Sequence, residues 1–526
     1  MSQKQKHTAA KDSGYEGILK YAGIFGGVQG LVSLIALLKV SIVSRLLGPV
    51  GVGMLEVYNR STELGKKATD LGISYSAVQA ISEQRGECGD GDSVPYAIKV
   101  VRSWSLWLAV FGTVLFFCLA PVLSRWSFEG DVTYTHMFRM LSLTVGCSAL
   151  MMGEVAVLKG ARMLKRVAWY QLLCAVAMLV IAVPCYYFWH FSGIIPSLLI
   201  TAVGLLAVAC WHSFKVYPYR VALFSKTVLV DGFYIIRQGL NYTLAGLLNS
   251  GAYYLVSIYL FTHGNEGEVG CYSYGNLLIS YLSMLTFAAL DNEFFPRLSA
   301  VNKDQVRSNG LVNTQVELLM VLITPLVICF AVCLPLVPRL LLDVEFMPLV
   351  VMSQWGVMGL FFKAMMLPTA YLCLSKKDSR IFLLQEVLSY TFMAAIMIGG
   401  FKYYGLPGLG VGMLLTGVFD WFTVWIISLI CYNFHYSSRV WHLFALQFPL
   451  LVATLVVVIA ASGWLYVLLG TLCVASSMAF SVRFLYRNTD FIHRQVGTLC
   501  AVSFLLPPSV PQAFRRRRKY IFPRSV

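Results

Sequence analysis

Between Gly53 and Ser82 the chain carries Glu56, Arg60, Glu63, Lys66, Lys67 and Asp70, yet strongly apolar segments flank this stretch on both sides. Something must bring the chain back across whatever those segments enter. Glu56, Arg60, Glu63, Lys67 and Asp70 are spaced 4, 3, 4 and 3 residues apart, so a helix would set all five on one face. Leu55, Val57, Leu64, Ala68 and Leu71 fill much of the remainder. A charge at bilayer depth costs roughly 2.5–3.5 kcal/mol, so five of them facing lipid would cost well over ~10 kcal/mol. A spanning helix of this kind must turn its stripe toward a hydrated cavity. Asn59 and, in the second half of the chain, Asn276 are expected to line the same space.

Hydrophobic residues make up 58% of the 526-residue chain and charged residues 13%, and the mean hydropathy is +0.70. These values predict an all-α polytopic membrane protein, not a soluble domain. Apolar runs give about fourteen spans, centred near 32, 67, 112, 147, 177, 203, 247, 283, 325, 362, 389, 419, 451 and 474. The connections are too short for a separate soluble domain, so any function must live within the bundle. The 13 cysteines lie mostly inside apolar segments without paired spacings, which reads as small core residues in a reducing compartment. The polar N-terminus and long first apolar segment predict a retained transmembrane helix instead of a cleaved signal.

The span near 67 can be tested by the distribution of Lys and Arg, which collect on cytoplasmic connections. With that span counted, one side receives Lys4, Lys6, Lys11 and Lys20, Arg85, Lys99 and Arg102, Lys159, Arg162, Lys165 and Arg166, and Lys215, Arg220 and Lys226. It also receives Arg297, Lys303 and Arg307, Lys376, Lys377 and Arg380, Arg439 and the basic C-terminus. The other side holds Arg45, Arg125, Arg339 and Lys402 with the acidic Glu266 and Glu268. Both termini are therefore expected in the cytoplasm, with the protein in the bacterial inner membrane.

Near the first outer turn the order Ser41-Ile42-Val43, Gly48-Pro49, Val52-Gly53, Asn59 returns about 216 residues later. The second copy reads Ser257-Ile258-Tyr259, Gly264-Asn265, Val269-Gly270, Asn276. Both copies fall at the turn joining the first two helices of a six-helix set, which predicts two parallel pseudo-symmetric lobes. The expected organisation is a cytoplasmic segment 1–17, an N-lobe 18–214, a basic inter-lobe loop 215–230 and a C-lobe 231–433. An appended helix pair at 441–485 and a basic cytoplasmic tail 486–526 complete it.

Several segments carry a family likeness. They are Tyr21-Ala22-Gly23-Ile24-Phe25-Gly26-Gly27, Leu46-Leu47-Gly48-Pro49-Val50-Gly51-Val52-Gly53, Asp70-Leu71-Gly72-Ile73-Ser74-Tyr75-Ser76-Ala77-Val78, and Phe294-Phe295-Pro296-Arg297-Leu298-Ser299. In this order, with fourteen helices, the chain resembles the multidrug/oligosaccharidyl-lipid/polysaccharide exporter superfamily, and within it the bacterial O-antigen (Wzx-type) flippases. The resemblance implies movement of an undecaprenyl-diphosphate-linked oligosaccharide between leaflets by alternating access, through a cavity between two lobes. It departs from the peptidoglycan-precursor branch in lacking an acidic Asp-Ala-Phe-like element at the first turn, and from drug exporters in its last helix pair.

A lipid diphosphate brings about two negative charges into the membrane, and a carrier must answer them with cations in a wet cleft. Arg60 and Arg237 are the foremost candidates, followed by Lys66, Lys67 and Lys39, while Arg139 and Lys363 are the other intramembrane cations. The bland reading pairs Arg60 with Glu56 or Glu63 one turn away, and lets Arg237, Lys39 and Arg139 reach headgroups. Buried acids could carry a coupling proton or sodium ion. Asp420 is the favoured one, Glu154 and Glu386 are further candidates, and Asp291 and Glu293 fit pairing or gating with Arg297.

The basic run Arg515-Arg516-Arg517-Arg518-Lys519 contributes to the net charge of +16, and beside a membrane bundle it suits anionic headgroups better than nucleic acid. Other polysaccharide-assembly membrane proteins are expected partners. A membrane glycosyltransferase or polymerase would need a polar platform, commonly on a long outer loop, which the spacing of the spans leaves no room for. No metal-ligand cluster or nucleophile–base pair emerges, and the expectation is a non-enzymatic carrier without a cofactor. Another lipid-linked precursor or a small molecule is the alternative cargo.

Overall fold

In a computed structural model, residues 3–487 are described apart from 89–92, 129–130, 132, 162, 266, 290–293 and 377, and the regular structure among them is helical. The chain divides into two compact units, one of Met1–Ile24 with Met478–Val526 and one of Phe25–Ser477. The larger unit is the bundle.

The first half of the chain comprises α1 (Gln3–Asp70), α2 (Ile73–Cys88), α3 (Ser93–Ser127), α4 (Thr135–Gly160), α5 (Leu164–Trp189) and α6 (Ile194–Phe214). The second half follows as α7 (Lys226–His263), α8 (Glu268–Ala289), α9 (Phe295–Ala300), α10 (Gln305–Cys333), α11 (Leu336–Leu340), α12 (Leu349–Ser375) and α13 (Ser379–Tyr432). The described residues end in α14 (Ser438–Ala460) and α15 (Gly463–Arg487). Ten described helices are long and apolar enough to cross a membrane. Three of these ten, Gly30–Asp70, Lys165–Phe214 and Ser379–Tyr432, are interrupted at Gly48, His190–Gly193 and Gly405. The reversal inside α13 is explicit. Ser389 bonds Asp420, Phe392 stacks on Phe419, and Gly400 meets Gly408 backbone to backbone.

The connections sort into two ends by mutual contact. At one end Gly48 approaches Glu345, Pro49 meets Gly267, Arg45 bonds the Leu340 carbonyl, and Phe191 covers Gly51. At the other, Ser82 bonds the Gly160 carbonyl, Asn302 the Ser375 carbonyl and Asn313 the His435 carbonyl. Asp304, Asp378 and Ser437 cap α10, α13 and α14 at this second end, each accepting from a backbone N–H in the first turn. Lys99, Lys159, Lys215, Lys303, Lys376 and Arg439 also belong to it, so the basic connections do gather on one side.

The polar stretch from Gly53 to Ser82 is a crossing, as its charge pattern required, but it is not one helix. It follows α4 in parallel from Tyr58 beside Met137, through Gly65 beside Val145, to Ile81 beside Gly160. The helix breaks at Leu71 and Gly72, whose φ angles are 43° and 74°. Gly72 is there for two reasons. Its conformation suits glycine, and a Cβ would lie 2.4 Å from the Gly239 carbonyl oxygen of α7.

Within the first half α4 packs on α2, α3 and α6, and within the second α12 packs on α8, α10 and α13. The helix α7 joins both, touching α2 and α3 on one side and α13 on the other. The first helix of the appended pair, α14, lies on α10 and α12.

Candidate functional site

The second part of α1 runs antiparallel to α7. Lys67 passes Gly246, Leu64 passes Gly251, and the Arg60 guanidinium lies over the Tyr253 ring at 4.9 Å. Arg60 and Lys67 of the charged stripe therefore meet α7, whereas Glu63 is exposed. Within it, Arg60 Nε donates to Glu56 Oε1 at 2.6 Å, with the two side chains 21% and 11% exposed. Tyr253 and Tyr272 are within electrostatic range of the same guanidinium. Lys66 has Glu63 in range, whereas Lys39 has no acidic neighbour among the described residues. Lys39 and the Glu56–Arg60 pair lie on either side of the break at Gly48.

Several candidates fall elsewhere. Asp70 leaves the stripe: its carboxylate accepts from the Ser74 hydroxyl at 2.6 Å and the Ser74 N–H at 3.2 Å, and so caps α2 just past the break. Arg237 is exposed on α7, 16 residues from Tyr253, or roughly 24 Å along the helix, so it does not share a site with Arg60. Asn59 and Asn276 are half-buried, on α1 and α8. Arg297 is exposed on α9, and Asp291 and Glu293 lie outside the described residues. Arg139 stands over Phe117 at 5.2 Å.

Glu154 is an ion-pair partner. Arg102 Nε donates to its Oε1 at 2.9 Å and Arg102 Nη2 to its Oε2 at 3.0 Å, with side-chain exposures of 1% and 6%. The guanidinium also donates to the Pro218 and Tyr217 carbonyls and to the Ser213 hydroxyl, and it is flanked by Phe214 and Tyr219. A carboxylate held this way neutralises a buried cation and is poorly suited to exchanging a coupling ion. Read from sequence, Arg102 is one more basic loop residue; its position eight residues inside the apolar run that opens at Val94 is the clue that it is buried.

A second polar cluster lies wholly in the C-terminal half. Asp420 accepts from Ser389 at 2.7 Å, Lys363 donates to Ser283 at 3.1 Å, and the two charges are in electrostatic range of each other. Tyr253 has Arg60 and Asp420 both within range and so stands between the two clusters. Ser283, Ser389, Tyr253 and Tyr272 carry no pattern that single them out in the sequence.

Residues 42–351, more than half of the chain, match the family described as "Polysaccharide biosynthesis protein". The chain belongs to that family. No curated protein matches it significantly. Among solved structures it is similar to an inward-facing multidrug resistance MATE family transporter of the MOP superfamily, at TM-score 0.63 and 15% identity over 77% of this chain and 94% of that one. It is equally similar to the lipid II flippase MurJ in an inward closed conformation, at TM-score 0.63 and 11% identity over 88% and 99%. The Vibrio cholerae MATE transporter VcmN follows at TM-score 0.52 and 13% identity over 81% and 99%. At these identities the likeness establishes the fold, which is that of the superfamily the sequence resembles. This polysaccharide biosynthesis protein is thus a polytopic membrane protein with a transporter fold.

Proposed function

We propose that this protein is a flippase that moves an undecaprenyl-diphosphate-linked oligosaccharide across the bacterial inner membrane by alternating access. The observation that carries the reading is the cation-rich seam. Arg60, Lys66 and Lys67 lie with Glu56 and Glu63 on the second part of α1, and Lys39, which has no acidic neighbour among the described residues, adds a fourth cation on its first part; four cations against two acids leave a surplus of about two positive charges, the charge a lipid diphosphate brings. Membership of a polysaccharide biosynthesis family supports a saccharide cargo. The basic end faces the cytoplasm by the positive-inside rule, so substrate enters from that side.

Arg60→Ala is expected to lower the initial rate of flipping of a fluorescent undecaprenyl-diphosphate oligosaccharide in proteoliposomes by about 10²-fold, the loss of a charge-assisted contact of roughly 3 kcal/mol. Arg60→Lys should recover part of it. Wild-type protein that moved the lipid no faster than empty liposomes would remove the flippase reading altogether.

The Asp420–Lys363 cluster is proposed to carry the coupling proton or sodium ion. Asp420 has a hydroxyl and a cation beside it in the interior of one half, where a change of charge is costly enough to be coupled to a change of access. Asp420→Asn is expected to leave substrate binding intact while abolishing the acceleration of flipping by an imposed gradient. A variant that still responded fully to both proton and sodium gradients would exclude Asp420.

A further inference from the structure

Arginine presents two edges for bidentate contact, one through Nε and one Nη, the other through both Nη atoms. In Arg60 only Nε is engaged, by a single oxygen of Glu56 at 2.6 Å, while Tyr253 covers the guanidinium face at 4.9 Å. No hydrogen bond from either Nη atom of Arg60 occurs among the described residues. The outer edge of the fork is thus held in a fixed direction and left open. Glu56 does a second thing that follows from Coulomb's law. Its full negative charge sits one guanidinium width from any anion that docks on that edge, and in a half-buried seam such a charge is poorly screened.

We propose that Glu56 is both the positioning residue for Arg60 and a built-in repulsive charge that keeps the bound diphosphate releasable. The inference rests on the flippase reading above. A carrier gains nothing from a site so tight that the cargo stays put, because a shift of access must be followed by release. A cation with no nearby acid would bind a dianion more tightly and let it go more slowly. Glu56 orients the fork through its hydrogen bond and weakens the complex through its charge, and these two effects can be separated chemically. Glutamine keeps an oxygen that accepts from Nε but carries no charge, whereas alanine keeps neither.

The test compares wild type, Glu56→Gln, Glu56→Ala and Arg60→Ala as folded proteins of matched thermal stability. Binding of undecaprenyl diphosphate in detergent micelles is measured by thermophoresis, and flipping in proteoliposomes gives apparent KM and turnover. Glu56→Gln is expected to bind about tenfold more tightly and to show a lower KM with a lower turnover number, a split that a merely structural lesion would not produce. Glu56→Ala should bind more weakly than Glu56→Gln because its fork is no longer aimed. Equal or weaker binding by Glu56→Gln, while wild type binds and flips normally, overturns the role of Glu56 and leaves the flippase standing. If wild type neither binds undecaprenyl diphosphate nor flips its glycosylated form, the flippase reading falls and this proposal falls with it.

Discussion

Arg102→Ala is expected to cost about 3–5 kcal/mol of stability, because it leaves the Glu154 carboxylate buried without its partner. The side chain is 1% exposed and satisfies one carboxylate, two carbonyls and one hydroxyl at once. Its loss would also loosen the start of the connection after α6, where Tyr217 and Pro218 are tied to α3 through this guanidinium, while Ser103 and Trp107 of α3 still hold Ala222 and Leu223. Thermal unfolding of the purified protein in detergent should show a midpoint lowered by many degrees, and the yield of folded protein should fall with it. Arg102→Lys should recover little, since one ammonium cannot reproduce a planar fork. Removing both charges together, as Arg102→Leu with Glu154→Leu, is expected to be milder than the single change. An unchanged midpoint for Arg102→Ala would mean that the pair contributes nothing to the fold.

The second large effect is expected at Gly72. Any β-carbon there pays about 1–2 kcal/mol for the left-handed backbone, and overpacking against α7 adds about 1–3 kcal/mol more. The clash is with the backbone of Gly239, which has no side chain to move aside. Gly72→Val should therefore either fail to fold or push α7 away from the break in the second crossing. Gly239→Ala isolates the packing part, because a β-carbon at that position would stand 2.7 Å from Gly72 atoms with no unusual backbone angle of its own. Measuring both variants by size-exclusion profile and thermal midpoint separates the two contributions. A Gly72→Val protein as stable as wild type would show that this contact is not made in the membrane.

Much of the fold was legible because a bilayer imposes simple rules. Apolar length marks the spans, and the alternation of Lys and Arg required the polar stretch after Gly53 to cross, which it does. The break at Leu71–Gly72 was not legible. Its cause is a partner 167 residues away in the chain, and a Leu-Gly pair in an otherwise helical pattern has many uses. Asp70 illustrates the same limit: its spacing placed it on the stripe, but the break beside it turned it into a cap for the next helix. Arg237 and Arg60 are both sequence candidates for the diphosphate, with headgroup contact as the alternative for Arg237, and their separation along α7 follows only once the register between α1 and α7 is known. The partner of Glu154 comes from α3, and those of Asp420 come from the other arm of α13 and from α12, so sequence could nominate these acids without showing what surrounds them.

The turn at Gly48-Pro49 reads as the counterpart of the turn at Gly264-Asn265, and in the folded chain the two meet. Pro49 lies against Gly267, and a β-carbon on Gly270 would stand 2.1 Å from the Pro49 carbonyl oxygen. A segment that packs on its own likeness is not free to drift alone, because a bulkier residue in one turn has to be absorbed by the other. If the halves arose by copying one ancestral unit, this contact is where the copies hold each other to account. The faint echo between the two turns would then survive as a scar of gene doubling, preserved by touch while the rest of each half went its own way.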